Sequence, residues 1–76
     1  MSDDILDTTG LKCPLPVLKA RKRLKSMRGG EILSMQADDP AALVDVPHFC
    51  NEAGHTLLEV ADAPDGGQIY RIQKQP

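Results

Sequence analysis

Two hydrophobic periods alternate along the chain. Val17, Ala20, Leu24 and Met27 recur at three- and four-residue spacing, the stripe of a helix with one buried face. Arg28-Gly29-Gly30 then supplies a basic last turn and a glycine stop. From Glu31 to Ala37 the period is two: Leu33, Met35 and Ala37 lie on one side and Ile32, Ser34 and Gln36 on the other, as in a strand with one better-covered face. Before the helix, Ile5 to Thr8 reads as a short strand that stops at Thr9-Gly10.

Asp38-Asp39-Pro40 has the form of a helix start, an acidic cap followed by proline at the first helical position. The second helix is predicted from Pro40 to about Ala53, ending at Gly54. Pro47 falls inside it and removes a backbone donor, which predicts a kink or two short pieces near Val46. Thr56 to Ala61 and Gln68 to Lys74 are strands of an antiparallel hairpin, joined by the turn-formers of residues 62–67. The order is β-α-β-α-β-β. Right-handed crossovers place both helices on one face of a four-stranded mixed sheet, an α+β two-layer sandwich. Leu6, Leu33, Met35, Leu58, Val60 and Ile72 are expected on the helix-facing side.

Length and composition narrow the picture. Seventy-six residues, 41% of them hydrophobic and with a formal net charge of −2, suit one folded domain over residues 1–76, since independent cores need roughly 50 residues each. A core one side chain deep leaves little room for a deep substrate cavity, so chemistry is expected at a surface loop or helix end that completes its pocket with a partner. Met1-Ser2-Asp3-Asp4 lacks the basic and apolar regions of a signal peptide, and no run reaches the roughly 20 apolar residues of a membrane span. Two cysteines without an export signal imply a reducing compartment, and a cytoplasmic monomer is expected. Charge is uneven: residues 12–28 hold seven cations and no acid, +7, whereas the rest sets Arg71 and Lys74 against all 11 acids, −9.

The candidate chemistry lies in Gly10-Leu11-Lys12-Cys13-Pro14-Leu15-Pro16. Cys13 sits where the first turn becomes the first helix, in the N-cap place, with Pro14 at the first helical position. Pro14 and Pro16 have no N–H, so the amides of Leu15 and Val17 are the donors expected near the sulfur. Together with the helix N-terminus and the charge of Lys12, they predict a lowered thiol pKa. A packing cysteine would not need a lysine and two prolines around it. The third residue after Cys13, where a thioredoxin-type oxidoreductase has its second cysteine, is Pro16. A lone exposed thiolate of this kind suits acceptance of sulfane sulfur and its onward transfer.

These residues, with Asp7-Thr8-Thr9 before them and with Asp38-Asp39-Pro40 and Asp45-Val46-Pro47-His48-Phe49-Cys50 after them, closely resemble the TusA (SirA-like) sulfur-carrier family over essentially the whole chain. The resemblance implies a sulfurtransferase that works as a relay, with Cys13 carrying a persulfide and no independent small-molecule turnover. It implies a donor protein, a cysteine desulfurase or a rhodanese, and an acceptor protein in tRNA thiolation, molybdenum-cofactor assembly or sulfur oxidation. It also implies that Arg21 and Asp39 contact the donor.

Other residues carry weaker signals. Cys50, beside Phe49 and Ala53, reads as a buried packing cysteine. His48, Cys50 and His55 offer three donors across a helix end with no established fourth, so neither a metal nor another cofactor is expected. The cations of the first helix, Lys22 among them, exceed what solubility needs and suit docking on an acidic protein surface; tRNA phosphates are the less favoured partner, with so few aromatics to stack bases. Two competing readings are a regulatory or RNA-associated module that makes no chemical use of Cys13, and a Cys13–Cys50 redox switch.

Overall fold

The computed structural model describes residues 3–76. It comprises strand β1 (Asp4–Asp7), helix α1 (Leu15–Lys25), strand β2 (Ile32–Ala37), helix α2 (Ala42–Ala53) and strands β3 (Thr56–Asp62) and β4 (Gln68–Gln73). The sheet order is β1-β2-β4-β3. β1 runs parallel to β2, and β4 lies antiparallel between β2 and β3, so the sheet is mixed as expected.

Register explains the core. Leu33 pairs with Ile72 and Met35 with Tyr70, and paired residues share a face, so the alternation of β2 is continued by β4. All four are fully buried, and with Ala37 they meet Ala20, Leu24 and Met27 from α1 and its exit, and Ala42, Val46, Phe49 and Cys50 from α2. Both helices therefore cover the same face. Burying each large side chain is worth about 1.5–3 kcal/mol, enough to hold this register against a one-residue slip.

The other half of the expected lining differs. Leu6 packs on the core, but Leu58 and Val60 are each 43% exposed. A β-bulge between Leu57 and Glu59 leaves Leu58 outside the paired register and makes Leu57, opposite Ile72, the core residue. Val60 regains the helix-facing side opposite Tyr70, yet it stands on an edge strand that the helices leave partly uncovered.

α2 is one continuous helix despite Pro47. The N–H missing at Pro47 would have gone to the carbonyl of Leu43, on an exposed part of the helix where water can serve that acceptor. Pro40 and Ala41 form a tight turn before the helix, with Ala42 donating to the Asp39 carbonyl at 2.9 Å and Leu43 to that of Pro40 at 3.1 Å. The helix ends as predicted, at Gly54, whose φ of 81° is the left-handed conformation that glycine adopts without strain. Among the described residues, no helix is long and apolar enough to cross a membrane.

Candidate functional site

Both helices begin just after the carboxyl ends of the adjacent parallel strands β1 and β2, the end of a parallel pair where α/β folds place their sites. Thr8 closes β1. It is fully buried, and its amide and hydroxyl both donate to the Gln36 carbonyl, at 2.8 and 2.7 Å. Leu11 then donates to the Thr8 carbonyl at 3.2 Å, and Gly10 takes the positive φ, 84°, that this turn requires. Two acids from the β2–α2 loop hold the segment from the other side. Asp38 accepts the Gly10 amide at 2.9 Å, and Asp39 accepts the Cys13 amide at 2.7 Å. The second Asp39 oxygen accepts the Ala41 amide at 3.2 Å. These donors, with the charge of Lys12 added, hold the Asp39 carboxyl below its ordinary range.

Cys13 is exposed at the tip of this segment, but it is not the helix cap. That place belongs to Pro14, across a cis Cys13–Pro14 peptide, with Leu15 first in the helix and Pro16 buried beneath its first turn. The Leu15 amide is not free for the sulfur either, since it donates to the Lys12 carbonyl at 2.8 Å. Of the two amides expected to support a thiolate, the Val17 amide alone lacks a backbone acceptor among the described residues.

The electrostatic expectation for the thiol is reversed. Asp45, in the first turn of α2, lines the same clefts as Cys13; hydrogen bonding of its carboxylate to the thiol form raises the Cys13 pKa, and desolvation and the charges of Asp45 and Asp39 act in the same direction. Lys12 is adjacent in sequence, yet its charge acts on Asp39. In the sequence Asp45 stood out only as part of the family-like stretch and was given no role, although an acid in the first turn after the second parallel strand must lie at the same end of the sheet as Cys13.

From Cys13 a groove of about 400 Å³ runs between the helices past Val17, Arg21 and Asp45 toward Ala53. The Arg21 guanidinium lies over the Phe49 ring at 5.6 Å, and His48 pairs with Glu52 one turn away on α2. Leu15 and Leu18 of α1 and Leu43 and Val44 of α2 remain exposed near the helix starts. Lys22 is exposed on α1 and belongs to the surface beside Lys19, apart from the groove. Cys50 is buried, and desolvation pushes its thiol up to about 11. His55 accepts the Gln75 amide at Nδ1, 3.1 Å, with its ring 5.7 Å from that of Phe49. His48, Cys50 and His55 thus have separate surroundings, and no group of three or more histidine, cysteine and acidic side chains suited to a metal occurs among the described residues.

Comparison with known proteins agrees with the motif. The family model "Sulfurtransferase TusA" matches residues 4–74. Two proteins of Neisseria meningitidis, from serogroups A and B, each bear the name "Putative sulfur carrier protein"; each is 45% identical over 62 residues, covering 82% of this chain and 84% of its own. The crystal structure of a SirA-like protein from Desulfitobacterium hafniense superposes with a TM-score of 0.80 at 22% identity, over 95% of this chain and 99% of that one, and so shares its fold. The chain belongs to the TusA sulfurtransferase family.

Proposed function

We propose that the protein is a sulfur carrier that accepts sulfane sulfur as a persulfide on Cys13 and relays it to an acceptor protein. The observation that carries this reading is the placement of Cys13: an exposed sulfur on a segment pinned by Thr8, Asp38 and Asp39, at the mouth of an open groove and with no second cysteine beside it. An open site of this kind suits a persulfide presented by one protein and removed by another. The exposed leucines at the helix starts and the cations of α1 give a protein surface something to dock on. Base stacking is disfavoured, since Tyr70 is fully buried and Phe49 lies in the core under Arg21. Family membership supports supply by a cysteine desulfurase or rhodanese, and use in tRNA thiolation, molybdenum-cofactor assembly or sulfur metabolism.

Incubation with a cysteine desulfurase and cysteine, followed by mass spectrometry of the intact protein, tests the assignment. Wild type and Cys50→Ala should gain one sulfur. Cys13→Ala should gain none and keep its fold, because the residue packs nothing. Sulfur found on Cys50, or a mass two hydrogens lower from an internal disulfide, would overturn the reading; partner binding that survives Cys13→Ser with no sulfur uptake by wild type would favour a regulatory module.

A further inference from the structure

We propose that Asp45 is the proton acceptor for the Cys13 thiol during sulfur transfer, so that the carrier is armed by a neighbouring carboxylate instead of a standing thiolate. This rests on the persulfide reading above. Cys13 and Asp45 together wall two clefts that meet at the sulfur: the open groove toward Arg21 and Phe49, and a narrower one beneath Pro16 that Asp39 and Ala42 close. No other acid shares both clefts with the sulfur. Every charged group near it has another engagement. Asp39 is bound to two backbone amides, Lys12 acts on Asp39, Arg21 covers Phe49, and His48 and Glu52 pair with each other along α2. Asp45 is half-buried in the first turn of a 12-residue helix and lines both clefts with Cys13.

A permanently placed anion beside a nucleophilic cysteine is a handicap if the thiolate must exist in advance. It is an advantage if the proton leaves as the new bond forms. The Cys13 S–H proton passes to the Asp45 carboxylate while the Cys13 sulfur attacks the terminal sulfur of the donor's persulfide. A Cys13 S–S bond forms, the donor's S–S bond breaks, and its electron pair stays on the donor cysteine, which takes a proton back from Asp45. A thiol and a persulfide have become a persulfide and a thiol, with no net oxidation. Between transfers the protonated sulfur is a poor target for stray electrophiles.

Asp45→Asn keeps the shape and removes the base, and Asp45→Glu keeps the base. Two rates are measured for each: alkylation of Cys13 by iodoacetamide across pH, and single-turnover sulfur uptake from a persulfidated cysteine desulfurase, read by mass. In Asp45→Asn the alkylation midpoint should fall, so alkylation at neutral pH quickens, while sulfur uptake slows by about a hundredfold. Asp45→Glu should recover most of the uptake. Opposite movement of the two rates is the signature of a base, which a merely structural role would not produce. Uptake that rises together with alkylation would make Asp45 only a brake and overturn the proposal, as would an unchanged alkylation midpoint. If Asp45→Asn lost its helical circular dichroism, Asp45→Glu would decide: recovered uptake supports the proposal and absent uptake overturns it. Failure of wild type to take up sulfur at all would sink the carrier reading itself, whereas equal uptake by wild type and Asp45→Asn would sink the role of Asp45 alone.

Discussion

Asp39 ties the cysteine segment to the second helix: one of its carboxylate oxygens accepts the Cys13 amide at 2.7 Å while the other accepts the Ala41 amide at 3.2 Å. A single side chain therefore sets where the sulfur stands relative to α2 and to Asp45. The tie depends on charge, because an ionised acceptor makes the stronger hydrogen bond.

Removing it should loosen the segment locally. In Asp39→Ala the Cys13 amide should exchange with solvent faster by about tenfold, whereas core amides such as that of Met35 should keep their rates. The pH dependence has a definite sign. The carboxyl is held below its ordinary value of 3.8, so its contribution is complete above that value and is lost as pH falls through the lower folded one. Exchange measured by NMR gives both answers, and an unchanged Cys13 rate in Asp39→Ala would show that Asp38 and Thr8 hold the segment without it.

Tyr70 makes a contrasting case, because its hydroxyl is buried with no hydrogen-bond partner among the described residues. Desolvation alone raises its pKa. Such a group costs stability, so Tyr70→Phe, which keeps the ring against Met35 and Val60 in the paired register, should be neutral or stabilising by up to about 1 kcal/mol. Urea unfolding checks this, and a loss of more than about 1 kcal/mol would reveal a partner for the hydroxyl.

How much of this could be read in the sequence depended on distance along the chain. Leu33, Met35 and Ala37 announced their strand, and Ala20 and Leu24 their helix, because a buried face forces its own period on the sequence. Gly54 and the turn-rich stretch before β4 worked likewise, through local backbone chemistry. Leu58 misled because a bulge shifts register without disturbing composition, and α2 is not split at Pro47 because a helix tolerates a lost bond where water can replace it. At the candidate site, Cys13 stood out in the sequence by its unusual neighbours. The direction of its pKa shift did not, because Lys12 is close in sequence while Asp45 shares its clefts in space. Charges weighed by covalent adjacency gave the opposite sign from charges weighed by the fold.

Cys50 predicts a stability loss in mild alkali. Burial raises its thiol from an ordinary 9.0 to about 11, so the folded state holds a proton that the unfolded state releases. The contribution is complete below 9.0 and declines as pH rises toward about 11, by about 3 kcal/mol in all. Cys50→Ala should begin less stable, from the small cavity, but should lack this part of the decline. Tyr70, whose pKa burial also raises, remains in both proteins, so the difference between their curves isolates the thiol. Parallel curves from pH 8 to 11 would mean that Cys50 is solvated more than its burial implies.

The basic face of α1 should govern the rate at which a donor protein docks. The five cations within the helix are not equivalent. Arg23 is committed to Asp4 at 3.1 Å and to the Ile5 carbonyl, and Arg21 covers Phe49, so replacing either would disturb packing together with charge. Lys19 and Lys22 lie side by side on an exposed shallow surface of the helix that also presents Cys13 near its start, and no ion pair engages them among the described residues. A donor bringing its own persulfide to Cys13 must pass within a few Debye lengths of them, each about 8 Å at physiological ionic strength. Lys19→Glu with Lys22→Glu replaces attraction by repulsion for an acidic donor surface without touching the groove, and should slow sulfur uptake at low salt by about tenfold, through association. Added salt should slow the wild type and quicken the variant until the two converge. Uptake from a desulfurase, timed for both proteins at low and high salt, measures this. Four equal rates would make the basic face a solvated surface and place recognition on the leucines around Cys13.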